Sequence, residues 1–161
     1  MAIYHCSVKC ITRSEGRSAV AAAAYRSGEK LTNCYDGITH DYTKKCWIIH
    51  QEIVLPEQAP VSYKDRSLLW NAVEMAERSS SCRLAREVQV ALPLELTMEE
   101  NIALVQQYVR KNFVSQGMCA DIAIHSPPKT NDRHQPVDKN GHPTKLLNEM
   151  QFYNPHAHIL L

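Results

Sequence analysis

Two histidines separated by one residue stand in the last apolar stretch of the chain, which reads NPHAHILL. On a β-strand His156 and His158 project from the same face, because side chains alternate between the two faces. His125 ends another apolar run, CADIAIH, and lies beside this pair if the two strands are neighbours. Three neutral imidazoles with open coordination positions suit a catalytic divalent metal ion. The spacing alone leaves the alternative open, in which the three are unrelated surface or partly buried histidines.

A carboxylate and an amide share one face of a further predicted strand, REVQVALPLEL. Glu87 and Gln89 alternate there with Val88 and Val90. A carboxylate behind a metal-bound histidine fixes its tautomer and makes the free nitrogen more basic. The competing interpretation is an ordinary polar face in contact with water, and the spacing alone prefers it.

Tyr25 stands out in SAVAAAAYRSGEKL, a segment that predicts a helix because alanine has the highest helix propensity. We expect this helix to end near Gly28. Small alanine side chains let a helix pack closely and leave one phenol prominent. Such a tyrosine is usually a packing anchor, but a phenol beside a metal-bound phosphate is also a plausible nucleophile.

Helical and strand patterns alternate along the chain. We predict strands in AIYHCSVKCIT, KCWIIHQEIVLP, REVQVALPLEL, CADIAIHS and NPHAHILL, and helices in the alanine segment, in KDRSLLWNAVEMAERSS and from Thr97 to Gly117. This order predicts an α+β fold with a mostly antiparallel central sheet and helices packed mainly on one face. We expect the other face of the sheet to be free for a ligand.

Composition bounds the function only loosely. The 161 residues fit one domain, and no apolar run approaches the roughly 20 residues of a membrane helix. The N-terminal residues do not form a signal peptide. Residues 1–51 carry seven basic and four acidic side chains, which fits a phosphate-rich partner or an ordinary solvated surface. The six cysteines follow no metal-binding spacing, and we expect reduced thiols, packed as small hydrophobic groups, in a cytoplasmic protein.

Three stretches together resemble a known family. MAIYHCSVKCITRSEGRSAVAAAAYRSGEKL, LAREVQVALPLEL and IAIH…NPHAHILL are similar, in this order, to the MobA/MobL (MobQ-class) relaxases of the HUH endonuclease group. These enzymes nick DNA of mobilisable plasmids. The likeness runs from Met1 to Leu161 and implies an HUH/relaxase-like fold. It also implies a relaxase domain over residues 1–161 that is cut or ended on its C-terminal side.

The resemblance assigns roles position by position. It implies that Tyr25 is the nucleophile and that His125, His156 and His158 hold a divalent metal ion, Mg²⁺ or Mn²⁺. Glu87 matches an acidic position and is a candidate for orienting a ligand histidine or assisting proton transfer from the phenol. Gln89 stands at a position where some members of the family carry a second acidic residue, so a mechanism with two carboxylates is in doubt here. The connection over residues 126–153 is long for the family, and we expect it to form a mobile flap with surface histidines at 134 and 142.

The implied reaction is a transesterification on single-stranded DNA at the nick site of a transfer origin. The tyrosine displaces a 3′-hydroxyl and forms a 5′-phosphotyrosyl link, with the metal polarising the scissile phosphate. The basic residues that could neutralise flanking phosphates are Arg13, Arg17, Arg26 and Lys30. Tyr4 or Tyr35 could stack on bases.

Two alternatives remain beside the relaxase. A rolling-circle replication initiator shares the HUH site, although its tyrosine usually follows the histidine motif, whereas Tyr25 precedes it. A non-catalytic single-stranded DNA-binding fragment is the other. As a relaxase, the protein would work in the cytoplasm with accessory mobilisation proteins and a coupling protein, and would have no membrane partner.

Overall fold

The computed structural model describes residues 5–161. The strands are β1 (Cys6–Thr12), β2 (Lys30–Thr32), β3 (Thr39–Asp41), β4 (Ile48–Val54), β5 (Arg83–Ala91), β6 (Ala120–His125) and β7 (His156–Leu160). The α-helices are α1 (Ala19–Ser27), α2 (Arg66–Ala76) and α3 (Met98–Asn112). The structure thus contains the predicted strands and helices.

Five strands form the central sheet, in the order β1-β5-β7-β6-β4, and every neighbouring pair is antiparallel. The predicted neighbourhood of the last two strands is confirmed, because β6 and β7 pair directly and His125 lies opposite His156. On the other side of β7, Gln89 lies opposite His158. The register therefore brings all three histidines and Gln89 to one face at one end of the sheet.

Helices cover both faces of this sheet. On the face that carries His156 and His158, Leu160 packs in a core with α1 and α2. On the opposite face, Val105 and Val109 of α3 pack in a second core with Ile159 and its neighbours. The expectation of a free second face is therefore wrong: the histidines lie on the face with two helices, beyond the end of α1.

The helix α1 packs closely because its inner side chains are small. Ala19, Val20, Ala23 and Ala24 are almost fully buried. The Oγ of Ser18 accepts a hydrogen bond from the first turn, and the buried Glu74 carboxylate accepts another from the Ala19 amide at 2.7 Å. A carboxylate at this end also complements the helix dipole. The N-terminal end of the helix is thus held in place.

The predicted capping box of α3 is present, with reciprocal hydrogen bonds between Thr97 and Glu100. The small antiparallel sheet of β2 and β3 was not predicted. Its turn carries the Asp36–Gly37 pair, a turn signal that the sequence interpretation passed over. All six cysteines are free, but Cys6, Cys34 and Cys46 are exposed, so their predicted packing is wrong. No helix within residues 5–161 has the length and apolarity needed to cross a membrane.

A buried ion pair joins α2 to the central sheet. Asp121 of β6 accepts hydrogen bonds from the Arg66 guanidinium at 2.7 and 2.8 Å and from the Trp70 indole at 2.9 Å. All three side chains are less than 10% exposed. Removing one partner of such a pair leaves an uncompensated charge in the core.

We expect Asp121→Asn to lower the free energy of unfolding by roughly 3 kcal/mol, because Arg66 loses its buried counter-charge. Urea denaturation followed by circular dichroism measures this. Asp41→Asn is the matched control, since Asp41 is exposed and lies 3.7 Å from Lys30. It should leave the midpoint close to that of the wild type. Equal urea midpoints for the two variants would contradict the claim that the Asp121–Arg66 ion pair stabilises the fold.

Candidate active site

The three predicted histidines form one cluster. Their ring centroids are separated by 5.5, 4.7 and 4.9 Å, and one ring nitrogen from each lies within 4.8 Å of the others. His125 and His158 are buried and His156 is half-buried. Such a set of nitrogens is suited to binding a metal ion if their lone pairs point to the same place.

Hydrogen bonds to the outer nitrogens decide where the lone pairs are. His125 donates from Nε2 to the Arg26 carbonyl at 2.7 Å, and His156 donates from Nδ1 to the Asn154 carbonyl at 2.9 Å. His158 donates from Nδ1 to Glu87 at 2.7 Å. Because carbonyls and carboxylates only accept, each ring carries its proton on the outer nitrogen and keeps a lone pair on the other. The residues present therefore fit a metal ion bound by three imidazoles.

Glu87 links this cluster to the helix of the tyrosine. Its carboxylate accepts from His158 and also from Arg26, at 2.6 Å to Nε and 2.5 Å to the second terminal nitrogen. Burial alone would raise the pKa of Glu87, but the hydrogen bonds from His158 and Arg26 overcome it and hold the pKa at about 2. Glu87 is consequently ionised at neutral pH and orients His158.

Two histidines of the cluster, His125 and His158, are neutral at physiological pH. The pKa of His125 is lowered to about 4, chiefly because burial disfavours the imidazolium form and further because Lys45 and the other two histidines lie nearby. Burial also lowers the pKa of His158, and the Glu87 carboxylate does not reverse this. Neutral imidazoles are the form that binds metal ions, so protons do not compete for these two ligands at pH 7.

Tyr25 lines the same pocket as the histidines. The pocket measures about 420 Å³ and is lined by Tyr25, Lys45, Cys46, Trp47, Gln89, His125, Pro127, His156 and His158. The tyrosine is 49% exposed, and its ring packs edge-on against Tyr42 with the centroids 5.2 Å apart. The structure therefore brings together the phenol and the three imidazoles that the sequence singled out.

Lys45 is a cation in contact with the Tyr25 ring. Its ammonium lies 3.6 Å from the centre of the Tyr25 ring and donates a hydrogen bond of 2.7 Å to the Tyr25 carbonyl. The pKa of Lys45 is lowered to about 8, by burial first and by the positive charge of Arg26 second. Lys45 thus binds a free carbonyl at the end of α1 and fixes a cation over the ring.

Gly28 allows this close approach. It ends α1 in the left-handed region at φ +70°. A Cβ there would lie 2.5 Å from the Ile48 Cδ1 atom and 3.8 Å from the Lys45 Cβ atom. The missing side chain therefore lets the end of α1 lie against the segment that carries Lys45.

Comparison with known proteins assigns the chain to a family. Residues 17–161 match the model of the MobA/MobL family, which is most of the chain. The chain belongs to the MobA/MobL family. The resemblance identified in the sequence is thereby confirmed. Proteins of this relaxase family take part in plasmid mobilisation and conjugation, as the names of the relatives below indicate.

Individual relatives agree with this assignment. Mobilization protein MobL of Acidithiobacillus ferridurans is 40% identical over 100% of this chain and 42% of its own length. Conjugal transfer protein TraA of Rhizobium radiobacter is 41% identical over 80% of this chain and 12% of its own. The chain thus spans less than half the length of these two relatives.

A solved structure from work on the molecular basis of vancomycin resistance transfer in Staphylococcus aureus has the same fold. It matches 99% of this chain with a TM-score of 0.78 and 30% identity, and the match covers 69% of its own length. The predicted α+β, HUH/relaxase-like fold is therefore confirmed.

The four predicted DNA-binding cations of this MobA/MobL chain differ in exposure and in their partners: two are held in partly buried ion pairs and two are exposed. Arg13 is bound to the buried Glu74 at 2.9 Å and to carbonyls at the end of α2, and its guanidinium stacks on Tyr35 at 4.0 Å. Arg26 is bound to Glu87. Both guanidiniums therefore already have carboxylate partners within the fold, which argues against a first role as phosphate contacts.

The other two cations are exposed. Arg17 lies 3.3 Å from Glu15, and Lys30 lies 3.7 Å from Asp41, in pairs that are each about half exposed or more. Exposed pairs of this kind are weak and leave the cation free to exchange partners. Arg17 and Lys30 therefore remain candidates for phosphate contacts.

Sequence reasoning overlooked Lys45 and Trp47, although both line the pocket. No spacing rule singles them out in DYTKKCW, since only the fold brings this segment to α1. Tyr4 lies outside the described residues. The predicted surface position of the histidines at 134 and 142 is confirmed. The connection after β6 is folded upon itself through isolated bridges such as Thr130 to Pro136, and its mobility stays a prediction.

We expect Arg26→Met to weaken Mn²⁺ binding about 10-fold or more, because Glu87 loses the cation that holds it against His158. Isothermal titration calorimetry measures the affinity, and circular dichroism checks the fold. Arg17→Met is the control, since it removes an exposed guanidinium that contacts neither Glu87 nor a histidine. Wild-type metal affinity in Arg26→Met would show that Arg26 does not support the cluster.

Proposed function

We propose that this chain nicks one strand of plasmid DNA at a transfer origin by forming a covalent tyrosyl–DNA link for conjugative mobilisation. The observation that carries this proposal is the shared pocket: one half-exposed phenol opens onto the same space as three imidazoles. A phenol can act as a nucleophile, and three nitrogen donors with an open side are suited to a catalytic ion rather than a structural one.

The proposed step is a transesterification, in which one phosphate ester bond replaces another and no ester is hydrolysed. The Tyr25 oxygen bonds to the scissile phosphorus while the bond from phosphorus to the 3′-oxygen breaks. The phenol proton is released, and the departing 3′-oxygen takes up a proton to become a hydroxyl. The product is a 5′-phosphotyrosyl link, which the reverse reaction can reseal at the end of transfer.

Glu87 supports this chemistry by orientation rather than by accepting the proton. Its oxygens are already bound by Arg26 and His158, and its pKa of about 2 makes it a weak base. Of the two roles that the resemblance offered, the contacts favour positioning of His158. Lys45 places a positive charge over the ring in which negative charge develops during attack.

His125, His156 and His158 would hold the divalent ion. When bound, it supplies Lewis-acid polarisation of a non-bridging phosphate oxygen. Nitrogen donors favour a transition-metal ion, so Mn²⁺ fits this set better than Mg²⁺, which prefers oxygen ligands.

The DNA strand would follow the two pockets that meet at Tyr25. The second pocket measures about 410 Å³ and includes Arg17 and Arg26 in its lining. Arg17 is exposed there and would neutralise a flanking phosphate, so binding should weaken with salt.

The names of the relatives support mobilisation over rolling-circle replication, because they are mobilisation and conjugal transfer proteins. Under this proposal the chain corresponds to the nicking part of a longer relaxase that acts in the cytoplasm. Accessory mobilisation proteins and a coupling protein would be partners of the full-length protein.

We expect the protein with Mn²⁺ to form a covalent adduct on single-stranded DNA from the transfer origin of its own plasmid, and Tyr25→Phe to form none. Denaturing gel electrophoresis of labelled DNA detects the adduct. Tyr42→Phe is the matched control, since it removes the hydroxyl of the ring that packs against Tyr25, and it should still form the adduct. An adduct that persists in Tyr25→Phe would exclude this nucleophile, and DNA that binds without an adduct would favour the non-catalytic fragment.

We expect His156→Ala to abolish adduct formation and weaken Mn²⁺ binding while sparing most of the DNA affinity, because the phosphate contacts of the strand remain. Titration calorimetry and a filter-binding assay measure the two affinities. His134→Ala, which removes an exposed histidine of the long connection, should change neither. An unchanged metal titration in His156→Ala would refute the ligand assignment.

A further inference from the structure

Trp47 stands at the edge of the histidine pocket in an unusual backbone conformation. Its φ is +70°, in the left-handed region that bulky side chains rarely adopt. The residue follows Lys44–Cys46 and directly precedes β4, where Ile48 lies opposite His125. Its carbonyl accepts a hydrogen bond of 3.0 Å from the Ser126 amide, so this segment is paired with His125 and with the residue that follows it.

A left-handed tryptophan is costly where a glycine would be relaxed. The strain of such a residue persists only where the surrounding structure imposes it. Nothing in the local backbone requires an indole, because the carbonyl and amide contacts can be made by any residue. The side chain itself must therefore account for the tryptophan at this position.

Packing inside the protein leaves part of the Trp47 indole surface uncovered. Trp47 is half-buried and lines the pocket of Tyr25 and the histidines. Its one aromatic neighbour among residues 5–161 is Phe152, at 5.6 Å between centroids and an interplanar angle of 66°. Because these rings meet at an angle, at least one face of the indole is left uncovered by Phe152.

Cations precede this aromatic surface along the chain. Lys44 is exposed and Lys45 lines the same pocket as Trp47. A positive segment with an aromatic platform beside it is the combination that single-stranded nucleic acids recognise, since the charges bind phosphates and the ring stacks on a base. The occupant that fits is therefore a nucleobase attached to the phosphate in the histidine pocket.

We propose that Trp47 is a stacking platform for the nucleobase next to the scissile phosphate. This inference rests on the proposed function, because it takes the scissile phosphate to lie among Tyr25 and the histidines. Stacking of this kind holds the strand so that the phosphate cannot slide past the phenol. It adds affinity that tolerates base identity, since every base has a flat face.

The test uses the Tyr25→Phe background with Mn²⁺, so that binding is measured without covalent chemistry. The probe is a single-stranded oligonucleotide spanning the nick site, together with a series in which one position at a time is abasic. The protein contains two tryptophans, and Trp70 is only 2% exposed and hydrogen-bonded to Asp121. Quenching of the intrinsic fluorescence by DNA therefore reports on Trp47.

Three variants separate stacking from a structural role. Trp47→Gly removes the ring and suits the left-handed backbone, so the fold should be kept. Trp47→Phe retains a smaller stacking surface. Phe113→Ala is the matched control, because Phe113 forms a similar aromatic pair with Tyr108, at 5.5 Å and 86°, in the core on the opposite face of the sheet.

We expect DNA to quench the wild-type fluorescence and Trp47→Gly to weaken DNA binding about 10-fold or more, with Trp47→Phe restoring most of the affinity. One abasic position next to the nick should weaken the wild type by a similar factor and Trp47→Gly no further, since the two changes remove the same contact. Phe113→Ala should bind as tightly as the wild type. The urea midpoint of Trp47→Gly should stay near that of the wild type.

Two results would overturn the inference. If Trp47→Gly bound DNA as tightly as the wild type, or if its loss simply added to that of every abasic position, the indole would not contact a base. A lowered urea midpoint with unchanged affinity would assign Trp47 to structural packing instead. If the wild-type protein still forms the covalent adduct, these outcomes exclude the stacking role alone and leave the proposed function intact. If the wild-type protein neither binds the DNA nor forms the adduct, both the stacking role and the proposed function are excluded.

Discussion

Arg26 connects the helix that carries Tyr25 to two of the three histidines. Its carbonyl accepts the hydrogen bond from His125, and its guanidinium holds Glu87, which in turn holds His158. One residue next to the phenol therefore sets the orientation of two imidazoles. The rest of the site depends on this connection, because a displacement of α1 would move the phenol and both rings together.

The charges of the site follow from the same contacts. Glu87 is buried, and its charge is compensated by Arg26, which leaves Lys45 as the cation beside the phenol. His125 stays neutral because burial and the nearby Lys45 both lower its pKa. The pocket thus offers free imidazole nitrogens and one positive charge, and this sign suits the phosphate of the proposed DNA substrate.

Much of the fold and the chemical core of the site could be predicted from sequence. Alternation along single strands placed His156 and His158 on one face, and two apolar strands with a long connection between them made His125 their neighbour. The alanine pattern gave the helix of Tyr25 and its end at Gly28. The shared face of His156 and His158 and the helix of Tyr25 could be predicted because they depend on local periodicity, whereas the position of His125 depended on the pairing of β6 with β7. The nucleophile and ligand roles came from the family resemblance, and they remain proposals.

The sequence did not reveal contacts between residues far apart in the chain. Arg13 and Arg26 were predicted to bind DNA, and that role stays a prediction; each meets a carboxylate 61 positions away, which no local pattern reveals. The second helical layer was missed because α3 reaches the sheet only in the tertiary fold. Lys45 and Trp47 enter the site in the same way, through the close approach that Gly28 allows.

Acceptors on α1, on β5 and at Asn154, just before β7, fix the proton of each histidine ring on the nitrogen that faces them. Long-range ¹H–¹⁵N correlation spectra of the histidine side chains, recorded for the metal-free protein at pH 7, test this claim most directly. We expect a neutral His125 ring with its proton on Nε2, and a proton on Nδ1 of both His156 and His158. Imidazolium signals for His125, or a proton on its Nδ1, would contradict the account, since the lone pairs could not then converge.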